Sequence, residues 1–245
     1  MRLQVLAAAL LVATGSALPA QEHPHWSYEG AAAPDHWGEL EKDYAPCKLG
    51  KEQSPVDIRD TKKADLPPIA FAYTPGPAEI VNNGHTVQVT PSAGGSIRVG
   101  ASEYKLVQFH LHTPSEERIQ GQPHAMVAHF VHKNAAGNLA VVAVLLDGGR
   151  ESGAWKPIFE SLPGGEGETR ALTGVDPARL LPRGLGYFTF LGSLTTPPCS
   201  EGVRWFVLKE PVTVSPADIA AFQKLYPHNA RPVQPLNGRT IEESR

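Results

Sequence analysis

Two short runs of alternating apolar and polar residues dominate the pattern along the chain. Gln108-Phe109-His110-Leu111-His112 is the first, and Val127-Ala128-His129-Phe130-Val131 is the second. Successive side chains of a β-strand point to opposite faces. His110 and His112 therefore share one face, with Phe109 and Leu111 on the other. Val127, His129 and Val131 share a face of the second run. Pairing the two runs would bring three imidazoles to one place.

Other segments read in the same way. Residues 69–73 alternate after Pro67 and Pro68, and 79–89 carry an Asn83-Gly84 turn between apolar residues. Strands are also predicted over 96–99, 104–112, 127–133, 139–146, 187–190 and 203–208. The 139–146 run is apolar on both faces, which places it centrally in a sheet. Helix signals are few. A short helix is expected over 151–162, one turn over 177–181, and the best helix over 216–226. There Ser215 is the N-cap, Pro216 takes the first position and Asp218 stands three residues after the cap. The tail, 229–241, reads as loop. The fold class is β-dominated α+β: a large twisted, mostly antiparallel central sheet of about ten strands with short peripheral helices.

Composition adds limits. With 245 residues, 41% hydrophobic and 19% charged, the chain fits one β-rich globular domain. A net charge of −3 and no dense Lys/Arg cluster argue against a nucleic-acid partner. Met1-Arg2, an apolar run over 3–13 and small residues up to Ala20 read as a secretory signal peptide over 1–20. The run is too short for a membrane span, which needs roughly 20 apolar residues. That leaves 21–245 as the domain, with a periplasmic or secreted location. His23 and His25 read as part of a mobile N-terminal segment rather than a metal site.

Export changes how the cysteines read. Cys47 and Cys199 are the only two, so one pairing exists. An oxidising compartment favours the disulfide, and a loop of this length stabilises by ~5 kcal/mol in the loop-entropy picture. Two buried free thiols are the alternative. With the cysteines used elsewhere, three neutral imidazoles and an open fourth position make the ligand set of a catalytic zinc. Three core histidines are the plain alternative.

Further motifs narrow the choice. Asn82-Asn83-Gly84-His85, Gln53-Ser54-Pro55-Val56-Asp57-Ile58 and Ser193-Leu194-Thr195-Thr196-Pro197-Pro198-Cys199-Ser200-Glu201 accompany the histidine runs. Together, in this order from about Trp26 to Ile241, they resemble the alpha-class carbonic anhydrases. Thr113-Pro114-Ser115-Glu116 and the cysteine after Pro-Pro are similar to the bacterial, exported branch.

The resemblance implies a zinc enzyme that hydrates CO2 reversibly through zinc-bound hydroxide. It implies His110, His112 and His129 as ligands of Zn2+ at the bottom of a conical cavity. Thr195 would accept a hydrogen bond from the hydroxide, and Glu116 one from Thr195. An ionised carboxylate only accepts, so it forces that direction. Thr196 becomes the neighbouring substrate-side hydroxyl and His85 the proton shuttle. Val131, Val141, Leu194 and Val203 would wall the CO2 site, with Trp205 beneath. Gln88 and Gln108 would line the polar side. Gln108 would also hold the His110 ring, and the backbone near Asn229 the His112 ring. His124 and His132 are not ligands in this mapping. Sulfonamides and small anions are implied as inhibitors, and the chain as a monomer or homodimer.

Three positions depart from the family pattern. Val127 stands where a Glu accepting from the third ligand is common, Glu117 where a His is common, and Phe190 where a Tyr is common. The expectation is compensation, with Glu117 supplying the carboxylate to His129. Three rival readings remain: an esterase using the same hydroxide, a catalytically weak or silent binding protein, and a periplasmic zinc buffer. Silence is disfavoured because the three ligands, Thr195, Glu116 and His85 are all present.

Overall fold

The computed structural model describes residues 25–245; the expected signal peptide over 1–20, and His23, lie outside them. Sixteen strands run in chain order: β1 (Asp57–Ile58), β2 (Thr61–Ala64), β3 (Ile69–Tyr73), β4 (Gly76–Asn82), β5 (Val87–Pro91), β6 (Gly95–Val99), β7 (Ser102–His112), β8 (Arg118–Ile119), β9 (Gln122–Pro123), β10 (Met126–Lys133), β11 (Leu139–Gly148), β12 (Thr169–Val175), β13 (Tyr187–Ser193), β14 (Glu201–Leu208), β15 (Val212–Val214) and β16 (Ile241–Ser244). Thirteen of them form one sheet, whose main path is β12-β4-β5-β7-β10-β11-β14-β13-β16-β2. Most neighbours are antiparallel; β11–β14, β11–β15 and β16–β2 are parallel. Strands β1, β8 and β9 make a separate small sheet. The expected sheet-dominated α+β architecture is therefore present, with ten strands along its spine.

Strand β11 lies in the middle of that spine, as its two-sided apolar sequence requires, and Ala140 to Leu146 are all buried. The two faces of the sheet carry different cores. Phe109, Leu111, Phe130, Val142, Val144 and Phe206 pack on one side with Trp155, Ile219 and Phe222. Val127, Val141, Ala143, Val203, Trp205 and Val207 pack on the other, the face of the three histidines. Four short helices lie outside: α1 (Trp37–Leu40), α2 (Pro46–Leu49), α3 (Lys156–Glu160) and α4 (Pro216–Leu225). At the head of α4, Ser215 Oγ accepts from Asp218 N at 3.1 Å and Asp218 Oδ2 accepts from Ser215 N at 3.2 Å, a complete capping box.

The structure departs from the sequence expectations in its peripheral elements. The helix expected over 151–162 forms only at Lys156–Glu160. Residues 229–240 form the expected loop, and β16 follows it to join β13 to β2. Strand β2, Thr-Lys-Lys-Ala, carries no alternating apolar pattern of its own. It lies at the edge of the sheet, where lysines guard an open strand and no buried face imposes alternation. Cys47 and Cys199 are bonded, with Cα atoms 5.0 Å apart, and pack against Trp37.

Candidate active site

The register of the sheet assembles the site. His129 on β10 pairs directly with His110 on β7, and His110 in turn pairs with Gln88 on β5. Two residues along, Val131 pairs with Gln108 on one side and Val141 on the other, and Val141 pairs with Trp205. One row across the sheet thus runs polar, imidazole, imidazole. The next runs polar, then apolar. Gly192 makes room for this layer: a Cβ there would lie 2.9 Å from the Trp205 ring and 2.1 Å from Ser54 Oγ.

One ligating atom from each of His110, His112 and His129 lies within 4.8 Å of the others. Each ring is held through its remaining nitrogen. His110 Nδ1 is 2.8 Å from Gln108 Oε1, His112 Nδ1 is 2.7 Å from the Asn229 carbonyl, and His129 Nε2 is 3.1 Å from Glu117 Oε2. Since these partners are acceptors, each ring donates to its partner and keeps a lone pair on the other nitrogen. That leaves Nε2 of His110, Nε2 of His112 and Nδ1 of His129 as the three donors available to a metal. His112 Nε2 is buried with no hydrogen-bond partner, an expensive arrangement for a polar atom unless a metal takes it. The residues present therefore fit a zinc ion. Burial pushes His110 down to about 3, helped by the charge of His129. Burial also holds His112 well below the ordinary imidazole range, helped by the charges of His129 and His110. Both rings are thus neutral, as ligands must be. Burial lowers His129 too, but the charge and hydrogen bond of Glu117, with the charge of Glu116, raise it overall.

Glu116 is wholly buried beside these rings. Its Oε2 stands 3.6 Å from His112 Nε2 and 3.7 Å from His129 Nδ1. Its Oε1 accepts from the Arg231 backbone N–H at 2.7 Å. Burial raises its carboxyl to about 7; His129 and hydrogen bonds from Thr195 and Arg231 pull against that, while Glu117 adds to it. Thr195 therefore faces Glu116, although Oε2 makes no full hydrogen bond.

A cleft of about 120 Å³ opens above the imidazoles, lined by His85, Gln88, Gln108, His110, His112 and Thr196 among others. A larger groove of about 570 Å³ along Leu66–Pro68 and Leu185–Tyr187 holds none of the candidate residues. Val141, Val203 and Trp205 form one apolar cluster, with Val131 and Leu194 packed against it. The Trp205 and His129 rings meet nearly at right angles, with centroids 4.9 Å apart. His124 bonds Asp147 at 2.8 Å and His132 bonds Tyr73 at 2.8 Å, both away from the triad.

Three residues escaped the sequence reading. Trp26 stacks on His85 with ring centroids 3.6 Å apart, and His25 stacks on it at 5.2 Å. His25, expected to be mobile, is thus packed with Trp26 against the candidate shuttle. Arg231 is 2% exposed; its guanidinium binds the Cys47 and Ser54 carbonyls and Gln53 Oε1, while its backbone binds Glu116. Its place two residues from Asn229 was the only available signal.

Comparison with known proteins decides the family. The eukaryotic-type carbonic anhydrase family matches residues 32–245. The chain belongs to the alpha carbonic anhydrases. It is 42% identical over 238 residues to a carbonic anhydrase of Pectobacterium carotovorum, covering 96% of this chain and 98% of that one. It is 44% identical over 223 residues to one from Klebsiella pneumoniae, covering 89% and 91%. The alpha carbonic anhydrase of Thermovibrio ammonificans, solved with the inhibitor sulfanilamide, superposes with a TM-score of 0.87 at 43% identity, covering 89% of this chain and 99% of that one. As a carbonic anhydrase, the chain catalyses reversible hydration of CO2 to bicarbonate and a proton.

Proposed function

We propose that this carbonic anhydrase works with zinc held by His110, His112 and His129, with Thr195 and Glu116 orienting the nucleophile and His85 exporting the proton. The observation that carries the reading is the division of labour within each ring: one nitrogen is tied to a protein acceptor and the other is left for a metal. When bound, zinc supplies a Lewis acid that brings a water's pKa to about 7, a value known for carbonic anhydrases as a class and not obtained from this chain.

The protein's own groups do the rest. Glu116 already accepts from Arg231 N–H and, when ionised, can only accept from Thr195. A dication beside it favours that ionised form. Thr195 must then donate to Glu116 and use its own oxygen to accept from the nucleophile. This turns the nucleophile's lone pair toward the substrate. Val131, Val141, Leu194 and Val203, over Trp205, exclude water and receive apolar CO2. Gln88, Gln108 and Thr196 form the polar wall toward bicarbonate. His85 takes the proton on a ring nitrogen at the mouth of the cleft and releases it to solvent; the flat stack of Trp26 holds the ring there.

Residues 1–20 act as a signal peptide and the mature chain is periplasmic or secreted; the Cys47–Cys199 bond supports this. Among the described residues no helix is long and apolar enough to cross a membrane. Sulfonamides and small anions bind at the metal centre.

The deciding experiment is stopped-flow CO2 hydration with a pH indicator, on zinc-loaded protein and on His129→Ala. Fast hydration that collapses in the variant is the expected result. Stoichiometric zinc without hydration would replace this reading with that of a binding protein or zinc buffer.

A further inference from the structure

Asn229 is 1% exposed and uses every polar atom it has. Its backbone N–H donates to the Thr113 carbonyl at 3.1 Å, and its own carbonyl accepts from His112 Nδ1 at 2.7 Å. Its Oδ1 accepts from Thr113 N at 2.8 Å. Its Nδ2 donates to the Leu111 carbonyl at 3.0 Å and to the His85 carbonyl at 3.1 Å. A carboxamide has two N–H donors, and both are committed. One residue therefore touches the ring of a metal ligand with its main chain and the backbone of His85 with its side chain.

The turn that carries His85 closes mostly on itself. Asn83 Oδ1 accepts from His85 N at 3.0 Å and Thr86 N at 2.9 Å, and Asn82 Oδ1 accepts from Gly84 N at 3.1 Å. These bonds shape the turn but do not set its distance from β7. The Thr86 hydroxyl reaches Leu111 O, yet it holds Thr86, one residue beyond. Among the described residues, the Asn229 amide is the group that ties His85's own carbonyl to the strand end holding His110 and His112. Reaction rates are steep in geometry: a displacement of ~1 Å costs up to ~100-fold.

We propose that Asn229 is a positioning residue for proton transfer, its side-chain amide fixing His85 at a set height above the metal ligands. The proposal rests on His85 being the shuttle.

Asn229→Asp tests it. The substitution keeps the shape, the carbonyl under His112 and the acceptor for Thr113 N. It replaces the donor facing His85 O and Leu111 O with an oxygen. Proton export follows the chemical step, so its slowing lowers kcat more than kcat/KM. The expected result is a kcat fall of ~5–20-fold against a smaller change in kcat/KM, with kcat restored by imidazole buffer. In a His85→Ala background the same substitution adds nothing to the loss of kcat. In metal-free N229D the NMR signals of the His85 amide and ring shift and broaden. Equal losses in kcat and kcat/KM, or additive losses in the double variant, would overturn the proposal. If H85A by itself leaves kcat intact, the shuttle reading fails and takes this proposal with it. Should N229D not fold, Asn229→Ser, too short to reach His85, carries the same comparison.

Discussion

Glu117 Oε2 lies 3.1 Å from His129 Nε2, so the His129 ring takes its carboxylate from the segment after β7 and not from its own strand. Position 127, where the family pattern has a Glu, holds a fully buried Val in the apolar layer on the ligand face. A Glu at both positions would crowd two carboxylates, beside Glu116, around one ring. Phe190, lacking the hydroxyl common in the family, lies parallel to Trp205 with centroids 6.2 Å apart. In this chain the carboxylate on His129 comes from Glu117, and Val127 and Phe190 lie together in the apolar cluster around Trp205.

Removing that carboxylate should weaken zinc binding at the proposed site. Glu117→Gln keeps an oxygen for His129 Nε2–H but loses the charge that makes the ring a stronger donor. Glu117→Ala loses both. Groups that hold ligand rings typically contribute 10- to 100-fold in metal affinity. Zinc competition with a chromophoric chelator should show a loss of ~10-fold for Gln and ~100-fold for Ala. Unchanged affinity in Glu117→Ala would show that the contact does not tune the metal.

Glu116→Gln probes hydrogen-bond direction. The Arg231 N–H at 2.7 Å needs an acceptor, so the new amide presents its oxygen there and its NH2 toward Thr195. Thr195 then becomes an acceptor from the amide and no longer directs its oxygen at the nucleophile. kcat/KM should fall by ~100-fold or more, a loss comparable to removing a preorganised donor, while zinc content stays near one per chain. Stopped-flow hydration and metal analysis on the same sample check both halves.

The strands bearing the site were legible because they are central. β7, β10 and β11 are buried on one or both faces, so burial imposed alternation or a continuous apolar run, and His110, His112 and His129 stood out on one face. Edge strands β2 and β12 are half-exposed and left no such pattern. The ligands' holding groups were partly legible. Gln108 and Glu117 adjoin the motifs in sequence, but Arg231 acts through its backbone N–H and contacts across the whole chain, which no local pattern encodes. Trp26 was missed for a related reason: two aromatics near a polar N-terminus look unanchored until the 83–86 turn packs against them.

The proposed shuttle role of His85 predicts the pH dependence of turnover. Burial lowers its pKa below the ordinary 6.5, the charge of His25 lowers it further, and Glu166 opposes both. The ring must be neutral to accept a proton, so kcat rises with pH through this pKa, and the midpoint should lie below 6.5. His25→Ala should move the limb up and Glu166→Gln should move it down. His85→Ala should abolish the limb and make kcat depend on added imidazole. Initial rates in non-accepting buffers over pH 5–8 decide; a limb unmoved by both charge changes would remove His85 from the path.

The disulfide joins residues 152 apart in sequence, for which loop entropy gives ~5 kcal/mol of stability. Cys199 closes the turn that begins at Thr196, and the Cys47 carbonyl is held by Arg231, whose backbone binds Glu116. Reduction should therefore lower the urea midpoint sharply, and activity should fall before the sheet unfolds. Parallel denaturation curves followed by hydration rate and far-UV dichroism test the order; coincident transitions would show that the bond stabilises the fold without positioning Thr195 and Glu116.

Acid sensitivity of the fold should trace in part to His132. The ring is completely buried on the face away from the ligands, bonded to the Tyr73 hydroxyl at 2.8 Å. Burial drives its pKa down to about 4, with the Ala140 and Phe130 carbonyls resisting. In the unfolded chain the group titrates near 6.5. Between those values the unfolded state binds a proton that the folded state refuses, so stability is full above 6.5 and declines as pH falls toward 4. The interval is worth about 3 kcal/mol. His132→Gln keeps a partner for Tyr73 and removes the titration, so its stability should decline by about that much less over the same range. Urea unfolding of both proteins at pH 7, 5.5 and 4, each metal-free so that ligand protonation is common to both, measures the difference; parallel curves would show that His132 is not a source of the acid loss.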